Sequence, residues 1–111
     1  MQLEITDPGQ VRAAVAAAEG RFGGIDVLVN NAGIGYFAAV EEGTDAGIRR
    51  IFDINVFGLS DLIRAALPVM RARRSGTIVS FCSIGGLRAF PAVGYYAATK
   101  FAVEGLTDAL R

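Results

Sequence analysis

The sequence contains no histidine and no tryptophan, and it has a single cysteine, Cys82. The lack of histidine excludes Ser-His-Asp and Cys-His catalytic groups and metal sites built on imidazole. One cysteine excludes a disulfide within the chain. Lys100 is the one lysine among the 11 basic residues. Acid–base chemistry must therefore come from tyrosine, this lysine, aspartate or glutamate.

The chain also has little net charge and no long apolar run. It carries 11 basic and 11 acidic residues, which gives no electrostatic basis for binding nucleic acid or an anionic membrane. No run of about 18 apolar residues is present to span a bilayer. Glu4 stands where a secretory signal needs basic residues. We expect a cytoplasmic protein with neither nucleic acid nor membrane as a partner.

The first third of the sequence predicts a helix followed by a strand. Residues 7–10 supply an N-cap, a proline for the first turn and a glutamine at the third helical position. Helical spacing then predicts an apolar stripe, which consists of Val11, Val15, Ala18 and Phe22. Two glycines at 23–24 end this helix, and residues 25–29 predict a buried parallel strand.

The remainder of the sequence continues this alternation. Thr44 is positioned to cap a helical stretch that reaches about Arg74, and Asn55 and Gly58 predict a break into two pieces. Residues 77–82 predict a second buried strand, and residues 95–111 a final helix. With a short apolar segment at residues 3–5, the predicted order is βαβαβα, with three strands. The fold class is α/β, a parallel sheet flanked by helices.

Tyr96 and Lys100 are the first candidates for chemistry. They lie four residues apart on the last predicted helix, so their side chains share one face. An ammonium about 4 Å from a phenol favours the phenolate by up to about 4 kcal/mol at an effective dielectric near 20. Tyr95 has Thr99 at the equivalent position and gains no such partner. Most such pairs, however, are a core aromatic beside a solvated charge.

Ser83 and Asn55 are two further candidates. Ser83 follows the second strand, thirteen residues before Tyr96, and the carboxyl ends of parallel strands are where such sheets bind ligands. Asn55 places an amide at the helix break. Each has a plain alternative, because a strand-end serine is usually a cap and a mid-helix asparagine usually faces solvent or bonds locally.

Together these residues resemble the short-chain dehydrogenase/reductase family over essentially the whole chain. The segments that carry the resemblance are Asn30-Asn31-Ala32-Gly33, Asn55-Val56-Phe57-Gly58, Ser83, and Tyr96-Ala97-Ala98-Thr99-Lys100. The resemblance implies a partial Rossmann-like fold in three layers. Residues 1–111 would form a single partial NAD(P)-binding domain that corresponds to the middle of the family's chain.

The resemblance also implies an activity and catalytic roles. The protein would be an NAD- or NADP-dependent oxidoreductase that acts on a small alcohol or carbonyl substrate. Tyr96 would exchange a proton with the substrate oxygen, and Ser83 would hydrogen-bond the same oxygen. Lys100 would assist Tyr96 and bind the nicotinamide ribose, and Asn55 would hold a water that links the lysine to solvent.

Cofactor contacts are implied at the ends of the first two predicted strands. Glu4 and Ile5 stand where the family often has an Asp-Val pair that contacts adenine, and the glutamate is a departure that could instead face water. Asn31, Ala32 and Gly33 would pass beside the adenine ribose. The preceding Asn30 is better assigned to joining neighbouring strands.

Substrate pocket and assembly are less closely defined by the sequence. Phe90, Val93 and Tyr95 are candidates to line a substrate pocket, or they are packing residues. The resemblance implies a homodimer or homotetramer for the longer parent protein, with the helices that hold Asn55 and Tyr96 at the interface. The alternative from another class is a non-catalytic Rossmann-like interaction or regulatory module.

No glycine-rich strand-to-helix turn, which grips the cofactor pyrophosphate in dinucleotide-binding folds, stands ahead of Leu3. We therefore expect the 111-residue chain to be inactive alone and to bind NADH or NADPH weakly or not at all in calorimetry. Micromolar affinity would contradict this expectation and show that the glycine turn is dispensable.

Overall fold

The computed structural model describes residues 1–110 and shows an α/β arrangement. Helix α1 spans Pro8–Phe22, and strand β1 spans Val27–Asn30. Helix α2 (Asp45–Phe52), a π-helical turn (Asp53–Gly58) and helix α3 (Leu59–Arg73) follow without a gap. Strand β2 spans Thr77–Ser80 and helix α4 spans Gly94–Asp108, with short 3-10 turns at Val40–Glu42 and Ile84–Gly86.

Helix α1 begins and ends as the sequence predicts. The Asp7 carboxylate accepts hydrogen bonds from the backbone N–H groups of Gly9 at 2.9 Å and Gln10 at 3.1 Å. Gly23 closes the helix in the left-handed conformation, at φ 79°, which glycine adopts without a steric penalty. The apolar stripe extends less far than predicted, because the Phe22 side chain is 77% exposed.

Strands β1 and β2 pair in parallel, with Val27 opposite Thr77 and Asn30 opposite Ser80. The prediction of a third strand at residues 3–5 is wrong for the described chain. A strand forms only beside a partner strand, and no pairing for residues 3–5 exists within residues 1–110. The backbone N–H of Glu4 instead donates to Gln10 Oε1 at 2.9 Å.

Only one face of this sheet is packed in the described residues. Leu28 and Ile78 lie against the core formed by Leu59, Ile63 and Val103 of α3 and α4. The side chains of the opposite face are about half exposed; they are Val27, Val29, Val79 and Phe81. The prediction that both strands are buried is therefore wrong for this face, since residues 1–110 place no helix over it.

The break predicted near Asn55 is the π-helical turn. One extra residue in such a turn shifts the helical register, and π-turns are frequent at functional sites. The shift places Asn55 inside the protein, 1% exposed, between α2 and α3. Pro68 lies within α3 and does not end it.

Gly58 allows the amino-terminal segment to approach the π-helical turn. A Cβ atom at this position would lie 2.8 Å from Ile5 Cγ1 and 2.9 Å from the Ile5 carbonyl oxygen. These distances are below any normal carbon contact, so a larger residue would displace the backbone of residue 5.

We predict that Gly58→Ala lowers the free energy of unfolding by about 1–3 kcal/mol through this overpacking. Gly20→Ala is the matched control, because apart from the adjacent backbone of α1 itself no atom lies within 4 Å of its Cβ position. That control should stabilise the protein by about 0.5–1 kcal/mol through helix propensity. Thermal or urea unfolding measures both, and equal effects would contradict the assigned contact.

Candidate functional site

The candidate site is a cavity of about 520 Å³ at the carboxyl ends of β1 and β2. Its volume falls within the range of small-molecule sites in proteins. Five of the predicted catalytic and cofactor-binding residues line it: Asn31, Gly33, Ser83, Tyr96 and Lys100. The topology thus brings together side chains that are far apart in the sequence.

Tyr96 and Lys100 occupy one face of α4, as predicted. The Lys100 ammonium nitrogen, Nζ, lies 5.7 Å from the centroid of the Tyr96 ring. It donates a hydrogen bond to the backbone carbonyl oxygen of Phe81 at 3.1 Å, just beyond the end of β2. Lys100 is 8% exposed. A flexible side chain is in this way held at one place beside the phenol.

Ser83 and Tyr96 lie on either side of Gly85. Gly85 separates the two residues, and a Cβ atom there would lie 3.4 Å from Tyr96 Cε1 and 3.5 Å from Ser83 Oγ. Ser83 Oγ accepts the Gly85 backbone N–H at 3.1 Å, so this hydroxyl also caps the turn that follows. The Ser83 hydroxyl can cap this turn and also serve the site, because its oxygen accepts the Gly85 bond while its proton remains free to be donated.

Asn55 forms neither the solvent contact nor the local backbone bond that an asparagine in a helix usually makes. Its Nδ2 donates to the Ile34 carbonyl oxygen at 2.9 Å, and its Oδ1 accepts the Ile34 N–H at 2.9 Å. Nδ2 also donates to Thr99 Oγ1 at 3.2 Å. Asn55 does not line the cavity, but it fixes the loop after β1 that forms one wall.

Thr99 supports the site although its place in the sequence does not mark it as a candidate. It is fully buried, and its hydroxyl donates to the Tyr96 carbonyl oxygen at 2.7 Å while accepting from Asn55. Thr99 therefore connects the π-helical turn to the helix that carries Tyr96 and Lys100. The sequence could have indicated this bond, because a threonine in a helix can donate to the backbone carbonyl group three residues earlier, here that of Tyr96.

Of the three proposed pocket residues, two line the cavity and one does not. Phe90 and Val93 are part of its wall. Tyr95 turns away, and its hydroxyl donates to the Val40 carbonyl oxygen at 2.6 Å. The Tyr95 ring packs edge-on against Tyr36, with 6.2 Å between ring centroids. It joins the loop of residues 34–43 to the start of α4.

Glu4, Ile5 and Ala32 do not line the cavity. Glu4 is exposed, and its Oε1 accepts hydrogen bonds from the hydroxyl of Thr6 at 2.8 Å and its N–H at 3.1 Å. The side-chain hydrogen bond from Thr6 lowers the pKa of this carboxyl group below its ordinary value. Asn30 joins the two strands, since its Nδ2 donates to Ser80 Oγ at 3.3 Å.

Other features of the described chain do not add a second reactive centre. Burial raises the pKa of the half-buried Cys82 thiol, which keeps it in its less reactive protonated form. Residues 1–110 hold no cluster of potential metal ligands and no helix long and apolar enough to cross a membrane. A cavity of about 500 Å³ at the amino end of β2 contains none of the predicted site residues.

Known proteins match the chain along its whole length. The model of the family described as short chain dehydrogenase matches residues 1–111. An uncharacterized oxidoreductase of Schizosaccharomyces pombe is 39% identical over 98% of this chain and 46% of the relative. The chain thus spans about half the length of the curated relatives that it matches.

Solved structures agree in fold. A short-chain dehydrogenase from Streptomyces avermitilis superposes with a TM-score of 0.96 at 42% identity, covering 99% of this chain and 41% of that one. A gluconate 5-dehydrogenase from Burkholderia cenocepacia, solved with NADP and tartrate, has a TM-score of 0.93 at 36% identity, covering 97% and 42%.

We predict that Asn55→Ala lowers the free energy of unfolding by about 2–3 kcal/mol, because it leaves both backbone groups of Ile34 without their partners. Asn31→Ala is the control, since that side chain is exposed and should change stability by less than about 0.5 kcal/mol. Chemical denaturation distinguishes them. If the Asn55→Ala protein were as stable as the control, the hydrogen bonds between Asn55 and Ile34 would not contribute to stability.

Proposed function

The chain belongs to the short-chain dehydrogenase family, and we propose that the whole protein transfers hydride between NAD or NADP and a small alcohol or carbonyl substrate. The observation that carries this proposal is that Ser83, Tyr96 and Lys100 meet at one cavity. The NADP in the Burkholderia cenocepacia structure supports the choice of cofactor.

The residues present fit a nicotinamide nucleotide. At Gly33 a Cβ atom would lie 3.4 Å from Asn55 Oδ1 and 3.7 Å from Lys100 Nζ, so the glycine leaves backbone open beside an amide and an amine. Such groups suit ribose hydroxyls, which need donors and acceptors close to an unobstructed backbone. When bound, the nicotinamide ring supplies or accepts the hydride.

Tyr96 is proposed as the acid or base. In reduction its hydroxyl gives a proton to the substrate oxygen, and in oxidation its oxygen takes the hydroxyl proton. Ser83 Oγ, on the other side of Gly85, donates a hydrogen bond to the same oxygen and orients it. The Lys100 ammonium stabilises negative charge on the tyrosine oxygen while it remains bonded to the Phe81 carbonyl group.

Asn55 and the loop after β1 are proposed to support this site. The resemblance gives Asn55 a water molecule to hold, and its amide already makes three protein contacts. We therefore propose that the side chain first of all orders the cavity wall around Ile34. Asn31, Ala32 and Gly33 are proposed to contact the cofactor ribose, and Glu4 and Ile5 to approach the adenine.

The proposed assembly is a cytoplasmic homodimer or homotetramer formed through the helices that hold Asn55 and Tyr96. Two exposed phenylalanines support it: Phe57 on the π-helical turn and Phe101 on α4 are each about half exposed. Exposed aromatic side chains on neighbouring helices are typical of subunit interfaces.

We predict that Tyr96→Phe in the whole protein lowers turnover by about 10²–10⁴-fold, because the phenylalanine ring cannot exchange a proton. Cofactor affinity should stay nearly unchanged. The matched control is Tyr95→Phe, which removes the neighbouring hydroxyl and its bond to Val40 but changes no residue that lines the cavity. Absorbance of NAD(P)H at steady state measures turnover, and fluorescence titration measures affinity.

Two outcomes would contradict these assignments. Turnover that survives Tyr96→Phe would remove Tyr96 from the proton transfer. Cofactor binding without turnover of any alcohol or ketone, in the unmodified protein, would favour the non-catalytic module.

A further inference from the structure

The outer part of the cavity is formed by apolar side chains that face solvent. Phe37 is 81% exposed, Ile84 is 69% exposed and Phe90 is 45% exposed, and Val93 completes this group. We call these four residues the apolar rim. Exposed apolar patches mark ligand-binding grooves or interaction surfaces, and this one continues the lining of the cavity that holds Tyr96 and Ser83.

The rim comes from two loops that are joined to each other. Phe37 belongs to the loop after β1, whereas Ile84, Phe90 and Val93 belong to the loop after β2. The backbone N–H of Ala38 donates to the Ala92 carbonyl oxygen at 2.9 Å and links the two. Tyr95 holds the first loop to α4 through Val40. The two loops are therefore held together through their backbones, which keeps the four rim residues near one another.

Charge is nearly absent from the described part of this cavity. Among its lining residues within 1–110, Lys100 alone carries a charge, and its amine already bonds the Phe81 carbonyl group. The charged residues of the same two loops, Glu41, Glu42 and Arg88, do not line the cavity. A carboxylate or phosphate at the rim would therefore lose hydration without meeting a cation there.

We propose that the substrate is an uncharged alcohol or ketone whose reacting carbon is attached to a bulky hydrocarbon body, and that this body rests on the apolar rim. The reacting oxygen points to Tyr96 and Ser83, and the hydrocarbon body covers Phe37 and Phe90. The reaction in this inference is the one given under the proposed function, on which the inference therefore rests. The substrate class is inferred from the apolar rim.

A pair of ketones with the same reacting ring tests the substrate class. The first is 4-tert-butylcyclohexanone, and the second is 4-oxocyclohexanecarboxylate, which places a negative charge where the first has methyl groups. With the whole protein and saturating NADPH or NADH, we expect kcat/KM for the butyl ketone to exceed that for the carboxylate by about tenfold or more. Calorimetry with the Tyr96→Phe protein measures the binding of each ketone without turnover.

Variants of the rim locate the effect. Phe37→Ala and Phe90→Ala should each weaken binding of the butyl ketone by about tenfold, since each removes a ring from contact with the hydrocarbon. Both side chains are exposed, at 81% and 45%, so we expect their removal to change the free energy of unfolding little. The control is Phe22→Ala, an exposed phenylalanine on α1 that does not line the cavity. Phe90→Lys should raise binding of the carboxylate.

The outcomes separate the substrate class from the reaction. Equal or stronger binding of the carboxylate, or rim variants that behave like Phe22→Ala, would overturn the substrate class and leave the proposed reaction standing. Rim-dependent binding of the butyl ketone without turnover of either ketone would support the substrate class and contradict the proposed reaction.

Discussion

The side-chain amide of Asn55 joins three segments that are distant in the sequence. It pairs with both backbone groups of Ile34, after β1, and with the hydroxyl of Thr99 on α4. Because the amide is buried, each of these groups would pay a desolvation cost without its partner. The π-helical turn brings Asn55 to this position. This irregularity in the helix therefore also determines the position of the cavity wall around Ile34.

The regular elements could be predicted from the sequence because their determinants are local. Asp7, Pro8 and Gly23 specify the ends of α1 through caps and backbone conformation, which involve only neighbouring residues. The helix break near Asn55 and the shared face of Tyr96 and Lys100 also follow from short-range spacing. The family resemblance then supplied expectations for roles that spacing alone left open.

What could not be predicted depends on partners that are distant in the sequence. Residues 3–5 are apolar enough for a strand, but strand formation needs a neighbouring strand. The exposure of Val29 and Phe81 depends on which face of the sheet the helices cover. The pattern of residues along a strand does not show which face that is. Tyr95 is a candidate pocket residue by sequence, and only the three-dimensional path of the loop that contains Val40 shows that its hydroxyl bonds there instead.

The placement of the one lysine explains why an amine and not a guanidinium stands beside Tyr96. Lys100 is nearly buried and has one hydrogen-bond acceptor in the described chain, the Phe81 carbonyl group at the end of β2. An ammonium group has three donors on a flexible stem, so one carbonyl group can hold it while other donors remain for a ligand. A guanidinium has five donors in a rigid plane, and burying it here would leave several without acceptors. The apolar rim makes this requirement stricter, because groups such as Phe37 and Phe90 offer no acceptor to a misplaced donor.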